Sequence, residues 1–138
     1  MKTQFADIEN AFFFISMGPI YGNQAILCKE TGKIYYISEL GDSDELPDDI
    51  DDPDKYVEIP HKNELDLGKN LVFQFVSEQI PGEIERIEKI FRKEGAYSRF
   101  KELLEQKALL DQWHRFEDTR RSEALRQWCK DNEIDIIG

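Results

Sequence analysis

Four side chains in the last third of the chain have types and spacing suited to holding an anion. Tyr97, Arg99 and Lys101 alternate in GAYSRFK, and Arg120 follows in LLDQWHRFEDTRRSEALRQW. A guanidinium offers a rigid fork of donors, an ammonium offers a compact charge, and a phenol adds one hydrogen bond. That set recognises carboxylates and phosphates. Catalytic patterns are missing by comparison. His61 and His114 are the only histidines, and their spacing reveals no acid–base neighbour. There is no GxSxG, no HExxH and no glycine-rich phosphate loop. Cys28 and Cys129 lie far apart and outside any CxxC pattern, so no metal set and no cofactor is expected.

A helix must carry Arg120. Wound at 100° per residue, the segment from Leu110 to Lys130 places Leu110, Trp113, Phe116, Ala124 and Trp128 along one apolar face. Arg120 falls in the middle of that stripe, while Arg115, Arg121 and Arg126 lie toward its flanks or away from it. A charge in an apolar stripe requires a partner. The expectation is an ion pair to a carboxylate of another helix, with the stem packed on Trp113 or Phe116. The alternative is an anion pocket formed by Arg120, Arg99, Lys101 and the Tyr97 hydroxyl.

The rest of the chain supplies the frame. Phe5, Ile8, Phe12 and Ile15 recur at helical spacing and stop at Gly18-Pro19. AILCKETGKIYYIS reads as a hairpin turning at Gly32, and Tyr56 to Ile59 as a third strand. Asn63 is placed to cap a helix from Glu64 to about Gln79. A shorter helix after Pro81 is closed by Gly95, and another runs from about Ala96 to Lys107. The expected fold class is α+β in one domain over 1–138. An N-terminal helix and a small three-stranded antiparallel meander occupy 1–60, and a C-terminal helical bundle occupies 61–138.

Between the hairpin and the third strand, residues 42–54 hold eight acids and no base. Its two prolines exclude helix, so 41–55 is expected to be an exposed acidic loop. Calcium-loop spacing is absent, with no glycine sixth and no glutamate twelfth from Asp42 or Asp44. A solvated charge run, able to meet a basic partner, is the expectation.

GAYSRFKELL and LLDQWHRFEDTRRSEALRQW together resemble the C-terminal signature of an uncharacterised bacterial protein family, UPF series number 0158. Its members read approximately GAF-x-RFK, then L-x-x-W-x-x-F-x-x-x-R, then A-x-x-W. The matching positions are Gly95, Ala96, Tyr97, Arg99, Phe100 and Lys101, then Leu110, Trp113, Phe116 and Arg120, then Ala124 or Leu125 with Trp128. CKETGKIYYIS and YVEIP are similar to the family's hairpin and following strand. Tyr97 departs from the usual phenylalanine, and the acidic loop matches loosely. The resemblance implies the architecture and transfers no activity.

Charge narrows the function. The chain carries a net −11, divided as −8 over residues 1–62 and −3 over 63–138. Such acidity argues against bulk binding to nucleic acid or to an anionic membrane. The apolar run Ala11–Ile15 follows acids and is too short for a leader or a span, so a cytoplasmic protein is expected. The leading expectation is a non-catalytic interaction or ligand-binding module. Its partner would be another protein or a small anionic ligand, with homo-oligomerisation left open. An enzyme using an arginine-lined pocket and a nucleic-acid-associated regulator are the alternatives.

Overall fold

The computed structural model describes residues 2–138. The fold is α+β, and the chain divides into two compact units, 1–65 with 123–138 and 66–122.

The first unit begins with β1 (Thr3–Gln4) and α1 (Phe5–Ser16), followed by β2 (Gln24–Cys28) and β3 (Ile34–Ile37). The helical stripe of α1 is buried as its spacing requires, through Phe5, Ile8, Ala11, Phe12 and Ile15. Ala25 and Leu27, alternate residues of β2, are fully buried. Gly32 turns the hairpin at φ +77°, a conformation that favours glycine. The third strand, β4 (Tyr56–Glu58), pairs antiparallel with β2, giving the order β3-β2-β4.

This corrects the expected meander. The outer edge of β3 is already occupied by the start of the acidic loop: Asp44 N–H donates to the Tyr36 carbonyl at 2.9 Å, and Ser43 bridges Ile37. The free edge of β2 is therefore the one that β4 takes. The chain's ends add a parallel pair that periodicity did not foretell, β1 with β5 (Ile136–Ile137).

Asn63 does not cap a helix. Residues 62–66 form successive turns, and α2 starts only at Lys69 and runs to Gln79. Buried His61 organises the turn: its Nδ1 accepts from the Asn63 N–H at 3.1 Å, and its Nε2 lies 2.9 Å from the Gly18 carbonyl. With Nδ1 accepting, Nε2 carries the proton and donates, which is the neutral ring.

The second unit holds α2, a 3₁₀ turn at Pro81–Glu83, α3 (Ile84–Ile90), α4 (Ala96–Gln106) and the first part of α5 (Leu110–Asp131). Leu71, Val72, Phe75, Val76, Ile87, Phe100, Leu103, Leu104 and Trp113 form its core. Trp113 is 1% exposed and meets Phe75 and Phe100 edge-on, at centroid distances of 5.3 and 5.1 Å.

α5 continues from residue 123 into the first unit, where Leu125 and Cys129 are its buried residues. Trp128, expected on the apolar face, is only half-buried, because the buried positions advance by one residue relative to the Trp113–Phe116 stripe.

Candidate functional site

The turn from α3 to α4 gathers the basic residues. Along α3 and its exit, Arg86, Lys89, Arg92 and Lys93 recur at three- and four-residue steps, which keeps them on neighbouring parts of one surface. Gly95, at φ +73°, reverses the chain, and α4 then presents Arg99 from its first turn. Arg86, Lys89, Arg92, Lys93 and Arg99 line one open groove of about 450 Å³ together with Ile90.

All five cations are exposed. Arg99 is held by a hydrogen bond to the Glu94 carbonyl, which fixes the orientation of its fork. Arg86 has a loose ion pair, 3.7 Å from Glu83, whose other oxygen takes Lys107 at 3.2 Å. Lys89, Arg92 and Lys93 form no ion pair among the described residues.

Tyr97 and Lys101, on the same helix as Arg99, do not line this groove. Tyr97 packs edge-on against Phe91 with centroids 5.1 Å apart. Its phenol is pushed up by burial and then by the charge of Glu117. Glu117 is half-buried, and burial holds its carboxyl above the usual range against the pull of Lys101 and His114. His114 Nδ1 lies 3.6 Å from Glu117 Oε1. Tyr97, Lys101, His114 and Glu117 thus form a polar cluster across α4 and α5 that the sequence reading passed over, although His114 and Glu117 stand one helical turn apart.

Arg120 occupies a third place. Its guanidinium lies over the Phe116 ring, 5.1 Å from the centroid, and it forms no ion pair among the described residues. The expected bond to a carboxylate of another helix is absent. The ring face and half-burial, with access to solvent, satisfy the cation instead. Arg120 edges a groove of about 550 Å³ whose other lining residues are Asp66, Asn70, Phe73, Gln74, Ser77 and Glu78.

The four residues singled out in the sequence are therefore divided. Arg99 belongs to the cationic groove, Tyr97 and Lys101 to the polar cluster, and Arg120 to a mixed polar groove. Arg86, Lys89, Arg92 and Lys93 were missed, and their helical spacing was the signal that could have found them.

Cys28 and Cys129 are buried free thiols, and burial pushes Cys129 up to about 11. Among the described residues no three His, Cys, Asp or Glu side chains come together as a metal set, and no helix is long and apolar enough to cross a membrane.

Fold and site together define an α+β protein with an open cationic groove on its helical unit. The chain belongs to the Uncharacterised protein family (UPF0158), whose family model matches residues 22–138. No curated protein and no solved structure gives a significant match.

Proposed function

We propose that the protein is a non-catalytic interaction module that recognises a carboxylate-rich anionic partner through the groove of Arg86, Lys89, Arg92, Lys93 and Arg99. The observation that carries this reading is the gathering of five exposed cations around one groove on a chain of net charge −11. Within the helical unit acids and bases balance, eleven of each between residues 66 and 122, so the groove is a local concentration of charge and no excess of the unit as a whole. Its lining includes Ile90 and no aromatic side chain. That composition suits a peptide's carboxylates and methylenes and offers no platform for stacked bases. Exposed pairs contribute about 0.2–1 kcal/mol each, so the complex should be weak and strongly salt-dependent, with Kd no tighter than about tenths of a millimolar.

Fluorescence anisotropy with labelled octaglutamate, against an octamer of deoxythymidine, tests this. The expected result is preferential binding of the peptide at low salt, with at least a tenfold loss in Arg92→Glu/Lys93→Glu. Undiminished binding by that variant, or no binding of the peptide, overturns the proposal. Preference for the oligonucleotide replaces it with a nucleic-acid role.

A further inference from the structure

Taking the groove to bind carboxylates, we infer that its occupant is the acidic segment 42–54 of a second copy of this chain. Charge complementarity carries the inference. The helical unit is neutral, so the entire net charge of −11 lies in the other unit, which contains this segment. Eight carboxylates lie between Asp42 and Asp54, and they divide into two groups.

Three shape the segment. Asp44 accepts the Tyr36 N–H at 2.8 Å, Asp52 accepts the Asp54 N–H at 3.0 Å, and Asp49 takes the Tyr56 hydroxyl at 2.8 Å and Lys55 at 3.2 Å. The other five, Asp42, Glu45, Asp48, Asp51 and Asp54, are exposed and make no side-chain hydrogen bond or ion pair among the described residues. Five carboxylates without partners on one unit match five cations around the groove of the other.

Two further features fit. Backbone bonds such as Ile50 N–H to Pro47 O and Tyr56 N–H to Asp52 O fold the segment into turns, so docking it costs less ordering than docking an extended tail. Leu40, 92% exposed at the head of the segment, supplies an apolar side chain for a groove whose lining includes Ile90 and the aliphatic stems. Loop and groove are different surfaces, so two copies can close by exchanging both contacts about a twofold axis, or the contact can repeat head to tail. Head-to-tail repetition leaves one loop and one groove open and propagates to a ring or an open chain.

Sedimentation velocity at low ionic strength, where surface charges are least screened, tests this with three proteins. The parent chain should show mass rising above the monomer with concentration and reversing with salt. A groove variant, Lys89→Glu/Arg92→Glu/Lys93→Glu, and a loop variant, Asp42→Lys/Glu45→Lys/Asp48→Lys/Asp51→Lys/Asp54→Lys, should each be monomeric, because each sets like charges against like. An equimolar mixture of the two should associate again, since every groove then meets an opposite loop. Recovery in the mixture also shows that both variants are folded. A parent monomeric at every concentration overturns the inference; if its groove still binds octaglutamate, the groove reading survives, and if not, both fall. Association of the parent with none in the mixture likewise rejects the loop as occupant.

Discussion

Arg120 lays its guanidinium over the ring of Phe116, one helical turn earlier on α5, with 5.1 Å between the guanidinium carbon and the ring centroid. A cation resting on a ring is a different structural element from one locked to a buried carboxylate. The first contributes about 0.5–1 kcal/mol at an exposed site, whereas breaking a buried pair costs about 3–5 kcal/mol. Arg120→Met keeps the stem on Phe116 and removes the charge, so it should change stability by less than about 1 kcal/mol. Urea denaturation measures this, and a loss above about 2 kcal/mol would point to an ion pair after all.

Trp113 joins the rings of Phe75 and Phe100 at the centre of the helical unit and is 1% exposed. Trp113→Ala should cost about 3–5 kcal/mol, by lost burial and the cavity left behind. Its indole Nε1 has no hydrogen-bond partner among the described residues, so Trp113→Phe gives up no bond and should cost distinctly less. Equal losses in the two variants, read by equilibrium unfolding, would refute this account of the core.

Glu117 gives the helical unit a pH dependence with a definite sign. Burial is the largest influence and raises its carboxyl, so the folded chain holds the proton at pH values where the unfolded chain has lost it. Stability present in acid is therefore lost as pH rises from the ordinary glutamate range through the folded-state pKa. Glu117→Gln removes this loss. Thermal melts between about pH 4 and about pH 8 should show the variant gaining a few tenths of a kcal/mol on the parent at the upper end only, since the group is partly exposed. A variant weaker than the parent at neutral pH contradicts the sign.

Tyr56 donates its hydroxyl to Asp49 at 2.8 Å, and that bond is the largest of the influences that push its phenol up to about 12. In an ultraviolet difference titration of the parent against Tyr56→Phe, the missing phenol should ionise near 12. Asp49→Asn should bring it back toward the ordinary tyrosine range. The same change should raise protease cleavage within 42–54, because Asp49 ties that segment to β4. Unaltered cleavage would show that other contacts set the loop.

The stripe of α1, the Gly32 hairpin and the spans of α4 and α5 were legible because each follows from local periodicity or a single turn residue. The pairing of β4 was not, since the identity of the free edge depended on where Ser43 and Asp44 settle against β3. Asn63 has the chemistry of a cap, yet the buried ring of His61 claims its N–H for a turn. Arg99 could be picked out by its neighbours in sequence. Its grouping with Arg86, Lys89, Arg92 and Lys93 depends on how Gly95 folds α4 back on α3, and no window of sequence reports that angle.

The most direct test follows the arginine side-chain Nε–H and backbone amide signals by NMR while octaglutamate is added at low salt. Salt-reversible shifts are expected at Arg86, Arg92 and Arg99 and at the amides between them, with Arg120, His114 and Glu117 unmoved. Shifts centred on Arg120, or none in the segment from Arg86 to Arg99, would contradict the groove reading.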